Sequence, residues 1–142
     1  MKKVLIVYWS SSGNTETMAK EVAKGVEEAG GELTLKTVGE ASVEMVKAAE
    51  ALAFGCPAMG DEALEEDEME PFIAKLSKAE LEGKPLGLFG SYDWGDGQWM
   101  RSWAGRMKEL GANVDGEGII AQLEPDKAAL DKCLELGKRL AV

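Results

Sequence analysis

The residues able to do chemistry sit in three short stretches. Ser10-Ser11-Ser12-Gly13-Asn14-Thr15 gathers hydroxyls, an amide and a glycine, with no charged residue. It follows the apolar run Val4–Trp9 and precedes a segment with helical periodicity. A strand, a tight hydroxyl-rich turn and a helix N-terminus together make an anion site, because the first N–H groups of a helix have no internal partner and point outward. The reading is a bound phosphate. Pro57-Ala58-Met59-Gly60-Asp61-Glu62 and Ser91-Tyr92-Asp93-Trp94-Gly95-Asp96-Gly97 are the other two stretches. Each follows an apolar run.

Composition narrows what these stretches can do. The chain has 142 residues and no histidine. That removes Ser–His and Cys–His catalysis and every histidine-containing metal site. Cys56 and Cys133 are far apart and in no CxxC, so there is no disulfide framework or thioredoxin-like motif. Side chains of this protein are poor catalysts, and no catalytic or metal-ligating residue is assigned. A net charge of −10 argues against nucleic acid and anionic membrane surfaces and favours basic protein partners. With 45% hydrophobic and 30% charged residues the chain reads as one globular domain, 1–142. No apolar run approaches a membrane span. Met1-Lys2-Lys3 leads straight into a strand without a signal-peptide pattern, so the expected location is the cytoplasm.

The elements that must position the three stretches follow from periodicity. A helix is predicted over Asn14–Ala29, with Met18, Ala19, Val22, Val26 and Ala29 on one face. An outer strand over Leu33–Val38, a short helix over Val43–Ala49 and a buried strand over Ala51–Cys56 come next. A helix over Glu70–Leu81 and a strand over Pro85–Gly90 follow. The helix over Gln98–Leu110 buries Trp99, Trp103 and Met107. A fifth strand lies within Val114–Leu123, centred on Ile119-Ile120-Ala121. Pro125 opens the last helix, with Leu130, Cys133, Leu134, Gly137 and Leu140 inward. Five βα units without linker or repeat give an α/β doubly wound fold. Ligands in such sheets bind at the carboxyl ends of the strands, so the three stretches converge on one ligand.

Taken together the stretches are familiar. Tyr8 to Thr15, Gly55 to Glu62 and Phe89 to Gly97, in that order and at those separations, resemble the short-chain flavodoxins of anaerobic bacteria. The similarity runs the whole length, including Glu70-Pro71-Phe72 and Trp99-Met100-Arg101. The resemblance implies a flavodoxin-like sandwich, helices on both faces of a five-stranded parallel sheet ordered 2-1-3-4-5; flavodoxins are themselves a standard example of that order. It implies FMN as cofactor, its phosphate held at Ser10, Ser11, Ser12, Gly13, Asn14 and Thr15 by hydroxyls, amide, backbone N–H groups and helix dipole. It places Met59 against one face of the flavin ring and Trp94 against the other. It maps a turning peptide onto Gly60–Asp61, whose carbonyl accepts from flavin N5–H in the semiquinone. Glu62 accepts from flavin N3–H, Cys56 and Pro57 shape the strand exit, and Ala58 belongs to the same cofactor-binding loop. Ser91, Tyr92 and Gly95 supply hydrogen bonds near the pyrimidine end.

Two departures from the family pattern stand out. Ser12 replaces a usual threonine and keeps the hydroxyl. Asp93 replaces a usual glycine, enters left-handed conformations less easily and adds a negative charge near the ring. The run Asp61–Glu70 holds seven carboxylates in ten residues. It reads either as a solvated helix start or as an acidic rim that steers basic partners. Gly116–Ala121 spells GxGxxA but leads into a strand, so the dinucleotide fingerprint fails.

The resemblance makes the chain a low-potential one-electron carrier cycling FMN between semiquinone and hydroquinone, not an enzyme. Its implied partners are basic redox proteins, ferredoxin-type reductases or oxidoreductases, met as a monomer. The alternative is a flavodoxin-fold, FMN-dependent quinone reductase, which needs a substrate pocket over the ring. A flavin-free receiver-like module is the third reading, and it lacks the strand-end aspartates of a phosphoacceptor site.

Overall fold

Continuous apolar runs fix the middle of the sheet. In the computed structural model, which describes residues 1–142, β1 (Lys3–Tyr8) lies between β2 (Glu32–Thr37) and β3 (Ala51–Gly55). β3 pairs in turn with β4 (Pro85–Tyr92). With neighbours on both edges and helices on both faces, every residue of β3 is buried. All pairings are parallel, and the order is β2-β1-β3-β4-β5, the expected 2-1-3-4-5.

The fifth position differs from expectation. Two segments, β5 (Asn113–Val114) and β6 (Ile119–Gln122), fill it where one strand is predicted. β5 pairs with Pro85 and Leu86, and β6 with Phe89 to Tyr92. Between them Gly116 and Gly118 have φ of 63° and 96°, a left-handed backbone that breaks an extended ladder. Pairing with β6 also carries β4 past Gly90 to Tyr92.

Three helical predictions are corrected as well. Glu70–Leu81 is not one helix but α3 (Met69–Ala74) and α4 (Lys78–Leu81), counted after α1 (Asn14–Glu28) and α2 (Val43–Ala48). Ser77 is extended between them and forms a capping box with Glu80, its N–H donating to Glu80 Oε1 at 2.7 Å. In α6 (Lys127–Leu140), which follows α5 (Gln98–Glu109), the buried stripe is Ala129, Cys133, Leu136, Gly137 and Leu140. Leu130 and Leu134 are only half-buried. Pro125 precedes the cap: Asp126 starts the helix, accepting from the Ala129 N–H at 2.9 Å. Ala29, at the end of α1, is exposed.

Side-chain alternation along the strands feeds two cores. Val4, Ile6, Ala53 and Phe89 pack with α1 and α6 on one face. Leu5, Val7, Leu52, Phe54 and Leu88 pack on the other with Val46, Ile73, Leu81, Trp99 and Trp103. Cys56 and Cys133 are buried free thiols, each pushed up to about 12 by burial. Neither is a nucleophile at neutral pH. No helix is long and apolar enough to cross a membrane.

Candidate functional site

The loop after β1 is held by its own hydroxyls. Ser10 Oγ accepts from the N–H groups of Gly13 and Glu16, both at 3.2 Å. Ser12 Oγ accepts from the Asn14 N–H at 3.4 Å. Gly13 is the N-cap of α1 with φ 97°, a conformation that favours glycine and turns the first helical N–H groups out. The N–H groups of Ser11, Ser12 and Thr15 find no acceptor within the chain. A cavity of ≈ 460 Å³ opens beside this loop, lined by Tyr8 to Gly13, Glu16, Thr37 to Gly39 and Glu68. It has no basic residue.

Thr15 is placed differently from its neighbours. It is buried, and its hydroxyl lies 3.1 Å from Ser91 Oγ and accepts from the Ser91 N–H at 3.3 Å. The Ser91 carbonyl in turn accepts from the Ala58 N–H at 3.0 Å. Ser91 thus has its N–H, hydroxyl and carbonyl all engaged. It braces the three loops against one another rather than presenting free donors.

The loop after β3 is a closed turn with an open tip. Met59 and Ala63 exchange backbone hydrogen bonds at 2.8 and 2.9 Å. Gly60, Asp61 and Glu62 form the tip, with φ of 50° at Gly60 and 53° at Glu62. Neither the Gly60 carbonyl nor the Asp61 N–H is bonded within the chain. The side of Gly60 that a Cβ would occupy is empty. Glu62 reaches across to the third loop, where its Oε1 accepts from the Gln98 N–H at 3.0 Å. It thereby caps α5, whose N-cap Gly97 has no side chain to do so.

The third loop leaves Trp94 61% exposed, with Asp93 and Gly95 beside it also exposed. Asp93 has no positive φ, so the strain anticipated from replacing a glycine there does not arise. Its carbonyl accepts from Gln122 Nε2 at 3.1 Å. Tyr92 is half-buried and packs at a tilt on Trp99, ring centroids 5.5 Å apart. A second cavity, ≈ 310 Å³, lies between Pro57 to Gly60 and Ser91 to Trp94, with Glu62 at its margin. It shares Ser11 and Ser12 with the first.

The acidic run resolves into separate duties, which its sequence hides. Glu65 is buried and accepts from the N–H groups of Asp67, Glu68 and Met69 at 2.8, 2.8 and 2.9 Å. Burial alone raises its pKa, but the three donors together outweigh it and hold the carboxyl below the ordinary glutamate range. Glu68 Oε1 accepts from the Trp9 indole N–H at 3.2 Å. Glu70 forms a bidentate pair with Arg106 at 2.8 and 2.7 Å. With Glu62 on α5, only Asp61, Glu66 and Asp67 of the seven remain as free, exposed carboxylates.

These features fit FMN at both ends. Outward hydroxyls and orphaned N–H groups suit a phosphate, and the second cavity offers a flat ring one thioether and one indole wall. The model of the flavodoxin family matches residues 6–137. A flavodoxin of Clostridium beijerinckii is 47% identical over 96% of this chain and 97% of its own. One from Megasphaera elsdenii is 44% identical, covering 97% and 98%. The solution structure of the two-electron reduced Megasphaera elsdenii flavodoxin superposes with a TM-score of 0.86 at 41% identity, over 97% of this chain and 98% of that one.

Proposed function

The chain belongs to the flavodoxin family, FMN-binding electron carriers rather than enzymes, and from that premise we propose which residues hold the cofactor and tune it. Two cavities that meet at Ser11 and Ser12 carry the proposal: one ringed by hydroxyls without a cation, the other walled by Met59 and Trp94. FMN, when bound, supplies the electron chemistry. Ser10 and Ser12, the Asn14 amide and the free N–H groups of Ser11, Ser12 and Thr15 would hold the phosphate end, with Gly13 turning the loop. Helix α1 adds its dipole, which substitutes for the missing Lys or Arg.

At the ring end, Pro57 and Ala58 set the exit of β3, and Met59 and Trp94 exclude water from the two ring faces. The Gly60–Asp61 peptide is free to turn, and its carbonyl would accept a hydrogen bond from flavin N5–H. Glu62 takes N3–H with the carboxylate oxygen that Gln98 leaves free. Tyr92, Asp93 and Gly95 line the pyrimidine end, and Ser91 acts from beneath as a brace. Asp61, Glu66, Asp67 and Asp93 disfavour extra negative charge on the ring, which sets a low potential for the more reduced couple. The same carboxylates attract basic redox proteins, ferredoxin-type reductases or oxidoreductases, to a monomeric carrier. Two buried free thiols suit a reducing compartment such as the cytoplasm.

A spectroelectrochemical titration of the FMN-loaded protein tests this reading. Two resolved one-electron steps are expected. A single two-electron step, accompanied by NAD(P)H turnover, contradicts it and favours the reductase.

A further inference from the structure

Apart from the terminal residues Met1 and Val142, three large hydrophobic side chains are exposed: Trp94 at 61%, Ile120 at 39% and Leu123 at 54%. Trp94 lies in the loop after β4, Ile120 in β6 and Leu123 just beyond it, and hydrogen bonds join these two segments at one corner. The Leu123 N–H donates to the Tyr92 carbonyl at 2.8 Å, and Gln122 Nε2 donates to the Asp93 carbonyl. Ile120 pairs in register with Gly90, and its side chain reaches Gly97 at the start of α5. Leu123 is also one of only two non-glycine residues with a left-handed backbone, at φ 58°. A leucine in that conformation costs on the order of 1 kcal/mol, and its side chain stays more than half exposed.

The charge around the corner is one-sided. Stretches 85–100 and 109–126 contain no Lys or Arg. Asp93 and Glu124, next in sequence to Trp94 and Leu123, are exposed acids there. Arg101, at the edge, is already paired with Asp96 at 3.0 Å. An apolar contact inside an acidic border matches a partner with an apolar spot ringed by lysines or arginines.

We infer that Ile120 and Leu123, beside Trp94, form the apolar centre of the docking surface for a basic electron-transfer protein. This rests on the carrier reading above. The acidic border governs approach, and the two side chains govern how long the complex lasts. A surface of this kind leaves cofactor binding untouched, because neither Ile120 nor Leu123 lines the two cavities.

The test uses FMN-loaded protein, reduced, with cytochrome c as a basic acceptor and ferricyanide as a small one. Leu123→Gly relieves the left-handed strain while deleting the side chain, and Ile120→Ser removes the second contact. Both variants are expected to keep FMN affinity, both potentials and the ferricyanide rate. The cytochrome c rate is expected to fall about fivefold or more in the double variant, with its salt dependence unchanged. An unaltered cytochrome c rate in the double variant overturns the docking surface. A steeper or shallower salt dependence with no loss at low salt also overturns it, since the apolar pair then does nothing but perturb charge. Failure of the parent protein to reduce ferricyanide instead overturns the carrier reading.

Discussion

The loop at 10–15 and the loop at 57–62 lie side by side around one groove, yet they are built in opposite ways. The first is closed on itself. Ser10 accepts two N–H groups, Ser12 accepts a third, and Thr15 is buried against Ser91. The second is clamped at its base by the Met59–Ala63 bridge and by Glu65 beneath, but its Gly60–Asp61 peptide is tied to nothing. A phosphate needs one fixed constellation of donors whatever the charge on the ring. A ring that gains electrons and a proton needs a neighbour able to change its hydrogen bond. The two loops therefore divide anchoring from tuning.

The largest expected effect breaks the base of the tuning loop. Glu65→Ala leaves three backbone donors without their acceptor and is expected to cost about 3 kcal/mol of stability, read as a lower midpoint in urea. The pH dependence has a definite sign. The folded pKa of Glu65 is depressed, so its contribution is full above the ordinary glutamate value, about 4.3, and is lost as pH falls through the folded pKa. Glu65→Gln removes that part of the acid sensitivity. If the stability of the parent and of Glu65→Gln falls in parallel below pH 4.3, the carboxylate is not what holds the turn.

The next effects separate the two ends of the groove. Trp94→Ala is expected to weaken FMN and riboflavin alike, each by about tenfold, through lost stacking. Ser10→Ala is expected to weaken FMN about tenfold and riboflavin little, because riboflavin lacks the phosphate. Isothermal titration with both ligands measures this. Equal losses for Ser10→Ala on the two ligands would merge the two regions into one.

How much of this the residues announce depends on whether the signal is local. The loops are legible because Ser, Gly and Asn between an apolar run and a helical stripe have a local physical meaning. The order of elements is legible for the same reason. The break at Ser77 was available as Ser77-x-x-Glu80, a capping box that amphipathic periodicity over Glu70–Leu81 masked. The α6 stripe is misleading in sequence because Leu130 and Leu134 look more apolar than Ala129, yet the helix packs closely on α1 through small residues. Glu65 was not legible at all. Nothing in a run of seven carboxylates says which one is buried, since that depends on where the turn after β3 folds back. The bracing of Thr15 by Ser91 is likewise a contact across 76 positions.

Asp93→Asn is the smallest effect. Removing one exposed charge is expected to raise the potential of the more reduced couple by roughly 10–30 mV at low salt and less at high salt, because screening weakens an exposed charge. An unchanged or lowered potential would show that Asp93 does not act through its charge.

The division between anchoring and tuning is tested most directly by one potentiometric titration run on FMN-loaded parent, Ser10→Ala and Gly60→Val proteins. A valine at φ 50° is strained and blocks the turning peptide. Gly60→Val is expected to narrow the separation between the two one-electron steps by about 60 mV, a tenfold change for one electron. Ser10→Ala is expected to leave that separation in place despite its weaker FMN binding. If Ser10→Ala moves the separation as far as Gly60→Val does, or if Gly60→Val does not move it, the two loops do not divide the work.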